Sequence, residues 1–166
     1  MSRLHLKVAV VGDKKVGKTS LILALMDQAF RETYTATPCC DLFCRQLGTD
    51  GAWMDVWDTN GDDTDLECAE MFISRATVVL VVFDVCWTPS FVACDRWIQT
   101  VRQRIAGATI VVVGAQCDRV TERRVPAEFA LGAVGGWDTP YVELSSKSGE
   151  NLQALVALLE KSLPGS

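Results

Sequence analysis

The stretch Gly12-Asp13-Lys14-Lys15-Val16-Gly17-Lys18-Thr19 decides how the rest of the chain is read. It follows the apolar run LHLKVAVV (4–11) and precedes TSLILALMDQAF (19–30). The run reads as a strand, and the segment after the loop has helical spacing. Strand, glycine-bearing loop and helix form the setting in which the spacing GxxxxGK[ST] cradles phosphate. Glycine lets the backbone curl, so that N–H groups from Asp13 through Ser20 face phosphate oxygens. The start of the helix adds its positive end. Lys18 is long enough to reach the β- and γ-phosphates, and the Thr19 hydroxyl is a ligand for Mg²⁺. The loop by itself chooses neither between ATP and GTP nor between a kinase and a switch.

Outward from this loop, strand-like and helical segments alternate to the end of the chain. CCDLFCRQL (39–47) and AWMDVWD (52–58) flank the turn GTDG, a hairpin signal. TVVLVVFD (77–84) and ATIVVVG (108–114) are continuous β-branched runs, as in parallel strands buried on both faces. PSFVACDRWIQTVRQRI (89–105) is amphipathic, with Ser90 expected as its cap, and PAEFALGAV (126–134) starts on Pro126. YVEL (141–144) reads as a last strand and SGENLQALVALLEKSL (148–163) as a last helix capped by Ser148. The pattern predicts an α/β fold in one domain over residues 1–166. Its sheet has six mostly parallel strands with one antiparallel strand at the edge, flanked by about five helices.

The chain has 166 residues, 49% of them hydrophobic, enough for one sizeable core. A net charge of −5 without a Lys/Arg cluster argues against nucleic acid or an anionic membrane surface as a general partner. Seven cysteines, an odd number in a chain too long to need staples, are expected to be reduced thiols of a cytoplasmic protein. Cys39, Cys40 and Cys44 lack the CxxC spacing or nearby His of a zinc site. The sequence ends LPGS, without a cysteine for prenylation, so membrane association is expected only through a lipidated tail missing from it.

Four further stretches narrow the function: AFRETYTAT (29–37), WDTNG (57–61), GAQCD (114–118) and SSK (145–147). With the phosphate loop, they make the whole chain resemble the Ras superfamily of small GTPases, and its Rab branch most. The resemblance implies a G domain that binds GTP or GDP with Mg²⁺. AFRETYTAT is similar to the family's switch I, with Thr37 eighteen residues after Thr19. That position implies a threonine completing the Mg²⁺ shell and meeting the γ-phosphate through its N–H. Phe30 matches the aromatic packed against guanine, and Tyr34 the tyrosine over the phosphates. WDTNG resembles the motif WDTAG: Asp58 would hold Mg²⁺ through water, and the Gly61 N–H would contact the γ-phosphate. GAQCD stands in the place of the family's NKxD. There the Asp118 carboxylate accepts from guanine N1–H and N2–H₂, whereas adenine N1 is an acceptor and repels it. Ser145, Ser146 and Lys147 resemble the motif SAK, whose backbone N–H meets guanine O6.

Departures from the pattern bear on kinetics. Ala115 replaces the asparagine that touches guanine N7 and ties base loop to phosphate loop; each such lost polar contact costs ~1–3 kcal/mol. Gln116 replaces a lysine whose stem covers the base. Together these predict binding weakened by ~10- to 1000-fold from the family's level. Asp62 stands where the catalytic glutamine would be and is a weak substitute for it beside Gly61 and Lys18. Ionised aspartate cannot donate to water, and its charge opposes the phosphate by ~2–4 kcal/mol at close range. Asp63, Asp65 and Glu67 deepen this, so hydrolysis is expected to be slow. Lys14 occupies a position where the family has a small residue. Crowding of an arginine finger, an ammonium near the phosphates, pairing with switch II acids and simple solvation all remain open for it. Pro38 favours extended geometry at Thr37.

Three functions follow from these observations. The first is a GTP switch that recruits effector or complex-partner proteins through residues 30–45 and 59–75. The second is a pseudo-GTPase scaffold or adaptor subunit of a larger trafficking or ciliary-type assembly. The third is an ATP-handling P-loop enzyme, which leaves Asp118 unexplained and lacks an arginine-rich lid.

Overall fold

A computed structural model describes residues 4–37, 40–48, 51–61 and 73–163. Strand β1 (His5–Val11) runs into the phosphate loop, and helix α1 (Lys18–Leu25) leaves it. Strands β2 (Cys40–Leu47) and β3 (Ala52–Thr59) follow, then β4 (Val78–Asp84) and helix α2 (Thr88–Arg104). The chain continues through β5 (Thr109–Ala115), a 3₁₀ turn (Val120–Glu122), helix α3 (Ala127–Trp137), β6 (Tyr141–Glu143) and helix α4 (Leu152–Lys161). The six strands form one sheet in the order β2-β3-β1-β4-β5-β6. Only β2 is antiparallel, paired to β3 at the edge; the other neighbours run parallel. The expected sheet is thus present. Four α-helices and the 3₁₀ turn stand among the described residues against the five helices expected.

Alternation along the central strands builds two cores. Val8, Val10, Leu80 and Val82 face one side, with Leu21, Ile22, Leu25, Leu155 and Leu159 of α1 and α4. Ala9, Val11, Val79, Val81 and Phe83 face the other, with Phe91, Trp97, Ile98, Ala130 and Val134 of α2 and α3. Every residue of β4 is buried. That is why its sequence is apolar throughout and not alternating. Each such buried Val or Leu contributes about 1.5–3 kcal/mol of transfer free energy.

Four helix boundaries differ from expectation. Helix α1 stops at Leu25, not Phe30, because Asp27 takes a left-handed backbone (φ 54). There the Arg45 guanidinium of β2 meets the Leu25 carbonyl and the Asp27 carboxylate. Ser90 lies inside α2, not at its cap; Trp87 is the cap residue. The Ser90 hydroxyl accepts from the Asp84 N–H (3.0 Å) and donates to the Trp87 carbonyl (2.7 Å). Helix α4 begins after Asn151 (φ 57), so Ser148 belongs to the preceding turn, where its hydroxyl accepts from the Glu150 N–H. Helix α3 runs three residues past the expected 134, to Trp137, carrying Gly135 and Gly136.

The carboxyl ends of β1, β3, β5 and β6 deliver the four motif loops to one rim of the sheet. Gly12, directly after β1, passes so close to β4 that a Cβ there would lie 2.2 Å from the Val82 carbonyl oxygen. Thr59 ties the end of β3 to β1 by donating to the Val10 carbonyl (2.8 Å). Among the described residues no helix is long and apolar enough to cross a membrane.

Candidate functional site

The phosphate loop turns through two left-handed residues, Lys15 (φ 65) and Gly17 (φ 105), and α1 starts at Lys18. Val16 is fully buried and anchors the loop in the core. Lys18 folds back across the loop. Its ammonium donates to the carbonyls of Gly12 (2.9 Å) and Asp13 (2.8 Å), and the residue is 5% exposed. Burial pushes its pKa down to about 8, against the pull of Asp58 and Asp13. The Asp13 carboxylate turns outward to α2, accepting from Trp97 Nε1 (2.8 Å) and Arg96 (3.3 Å). Asp13, Lys14 and Val16 are not among the residues that line the cleft. Lys14 is exposed.

At the mouth of the loop three oxygens meet from three elements. Thr19 donates to Asp58 Oδ2 (2.5 Å), Thr37 donates to the same atom (3.1 Å), and the two hydroxyls lie 3.3 Å apart. Asp58 is 1% exposed, and its other oxygen, Oδ1, is buried without a hydrogen-bond partner. Burial raises the Asp58 pKa, while the two hydroxyls and Lys18 pull it down. An orphaned carboxylate oxygen beside two hydroxyls is a hard-oxygen donor set of the kind Mg²⁺ takes. The residues therefore fit the ion, with Thr19, Thr37 and Asp58 as those that would hold it. Gly61 (φ 83) presses on the same loop: a Cβ would lie 2.5 Å from Lys18 Nζ and 2.7 Å from the Lys14 nitrogen. Asp62, with Asp63, Asp65 and Glu67, lies outside the described residues, as does Pro38.

From this corner a cleft of about 460 Å³ runs to the loops after β5 and β6. Residues 30–35 lie along one wall. Lys147 stands 5.9 Å from the Phe30 ring and 3.5 Å from Glu32, and Lys15 stands 5.6 Å from the Tyr34 ring. Gln116, Asp118, Ser146 and Lys147 line the far end. Asp118 is exposed to the cleft, and its carboxylate makes no hydrogen bond among the described residues. Ser145 is fully buried and does not line the cleft. Its hydroxyl accepts from the Lys147 (3.2 Å) and Ser148 (3.0 Å) N–H groups and so shapes the loop. Ala115 is 2% exposed, and its methyl faces the phosphate-loop residue Gly17.

One chain thus gathers a phosphate-type loop, a hydroxyl–carboxylate cluster and an exposed carboxylate, Asp118, around a single groove. A sequence model of the Ras family matches residues 7–164. The chain belongs to the Ras family. As a Ras-family domain it is, in general terms, a small GTPase that works as a GTP-binding switch; Ras-family GTPases bind guanine nucleotide, generally with Mg²⁺.

Within this Ras-family cleft two contributors are silent in the motifs. Trp97, distant in sequence, holds Asp13. Arg119 lines the cleft and donates to Gln116 Oε1 (2.6 Å) and to both oxygens of Glu122 (3.1 and 2.5 Å). The Glu122 hydrogen bond raises the Arg119 pKa and lowers that of Glu122. An arginine three residues before a glutamate is a visible ion-pair signal, but nothing in it points at Gln116.

Proposed function

We propose that this chain is a Rab-like guanine-nucleotide switch. It binds GTP or GDP with Mg²⁺, hydrolyses GTP slowly, and recruits partner proteins through residues 30–45 and 59–75. The observation that carries the proposal is one cleft with Lys18, Thr19 and Thr37 at one end, the two threonines backed by the buried Asp58, and an uncommitted Asp118 carboxylate at the other. Bound Mg²⁺ would supply positive charge against the phosphate oxygens. The chain's own residues do the rest. Lys18 and the loop amides offer donors, Phe30 and Lys147 enclose the base end, and Asp118 selects a purine edge with two adjacent donors. Slow turnover rests on Asp62, which offers no donor to orient water. Cytoplasmic residence belongs to the same proposal.

The test is direct titration of purified protein with GDP, a GTP analogue and ADP, with and without EDTA, and chromatography of any nucleotide that copurifies. Guanine-selective, Mg²⁺-dependent binding supports the proposal; equal affinity for ADP and GDP overturns it. Ala115 favours a second reading, because its buried methyl offers the base no polar contact: a pseudo-GTPase adaptor in a larger assembly. Under that reading Lys18→Ala leaves partner capture unchanged, whereas a switch loses it.

A further inference from the structure

We propose that Arg119 is the positioning residue of the base end: it presets Gln116, so that the Arg119–Gln116 pair replaces the rigidity given up with Ala115. This rests on the guanine-nucleotide reading above.

Gln116 follows β5 with a left-handed backbone (φ 67) and lines the cleft beside Asp118. Its amide oxygen accepts from Arg119 Nη1 at 2.6 Å. A guanidinium only donates, so the amide must present its oxygen to Arg119 and its NH₂ elsewhere. Arg119 is itself held. Its Nε and Nη2 bind the two oxygens of Glu122, and Nη1 lies 3.7 Å from Asp84 Oδ2 at the end of β4. The backbone closes the same turn, with the Arg119 N–H donating to the Gln116 carbonyl (3.1 Å). Gln116 is therefore the end of a bracket that reaches from β4 to the 3₁₀ turn. A glutamine free to rotate would lose its rotamer freedom when a purine arrives; a pinned one has already lost it. The planar amide–guanidinium pair is also a flat polar surface at the place where a flexible stem would otherwise lie. Ala115 cannot supply this order, since it has no polar atom beyond the backbone.

The experiment is a double-mutant cycle on GDP affinity with Gln116→Ala, Arg119→Ala and the double variant, with Glu122→Gln as a graded weakening of the bracket. Inorganic pyrophosphate, which engages only the phosphate end, is titrated into each protein. Expected are losses of about tenfold for each single variant, a double variant no weaker than either, and a smaller loss for Glu122→Gln. Pyrophosphate affinity and the melting temperature of the nucleotide-free protein stay at the wild-type values. Losses that multiply in the double variant overturn the proposal, because each residue then acts alone. So does an unchanged GDP affinity in Arg119→Ala, and so does pyrophosphate binding that falls in parallel with GDP. A wild-type protein that binds pyrophosphate without preferring GDP to ADP removes the base-end reading and this pair with it. Binding of neither removes the nucleotide reading altogether.

Discussion

Asp118 presents an exposed carboxylate to the cleft, and under the proposed function it takes two donors on one purine edge. Asp118→Ala should lower GDP affinity by at least ~100-fold while leaving pyrophosphate binding unchanged, measured by calorimetry. Lys18 governs the other end and makes it pH-dependent. Burial sets its pKa at about 8, below its ordinary 10.5. As pH rises through about 8 the empty protein loses the ammonium that attracts phosphate, so pyrophosphate affinity should fall between about pH 7 and pH 9.5. Lys18→Arg, still charged throughout, should flatten that profile. For stability the sign is opposite to a gained partner. The unfolded chain takes up the proton as pH falls from 10.5 to about 8 and the folded chain does not, so stability drops across that window and is level below it. Gly61 is a third sensitive position. A Cβ there meets backbone atoms of Gly12 and Lys14 at 2.7 Å, on a left-handed φ of 83. Gly61→Ala should cost about 1–3 kcal/mol in denaturant unfolding, the clash and the strain adding together.

Between elements, helix α2 and the phosphate loop share a polar tie inside an otherwise apolar seam. Trp97 is 1% exposed, yet its Nε1–H reaches Asp13, whose carbonyl in turn receives Lys18. Trp97→Phe removes the donor and leaves a small void. We expect a loss of about 1–3 kcal/mol by thermal unfolding, much reduced when Asp13 is already Ala. The short strand β6 depends on a similar tie. Glu143 accepts from both guanidinium nitrogens of Arg123 and from Tyr141 (2.6 Å). Burial alone would raise its pKa, but these hydrogen bonds outweigh burial and hold it below its ordinary 4.5. The pair therefore stabilises the fold above about pH 4.5, and that contribution fades as pH falls through the lower folded value. In Arg123→Ala the base end, which hangs from β6 through the Cys117 N–H to the Leu144 carbonyl, loses part of its support.

For the whole molecule, occupancy and stability are linked, because the cleft draws on the ends of four strands and so exists only in the folded chain. GDP with Mg²⁺ at 100 times its Kd should add about 2.7 kcal/mol, a rise of several degrees in melting temperature, and EDTA should remove the metal-dependent part. ADP at the same concentration should add almost nothing. The exposed, left-handed or irregular residues 27–37 carry Thr37 and Tyr34 outside regular structure. A segment of this kind can change partners at low cost, while the buried strands beneath it do not move.

Local patterns determined a large share of this. Continuous β-branched runs mark strands buried on both faces wherever they occur, and the spacing from Gly12 to Thr19 places a curled loop between strand and helix without reference to the rest of the chain. Those signals are short-range, so six strands, one antiparallel edge and the P-loop were legible in the residues alone. Only the tertiary structure decided which polar groups meet. Asp58 comes to Thr19 across 39 positions and Trp97 to Asp13 across 84, and no periodicity encodes such pairings. Helix ends escaped for a related reason. Serine is a good cap only where the backbone places it at a terminus, and the packing at Trp87 and Asn151 put the termini elsewhere. Nothing in the residues around Arg119 points to Gln116; only the turn after β5 brings that amide within reach of its remaining donor.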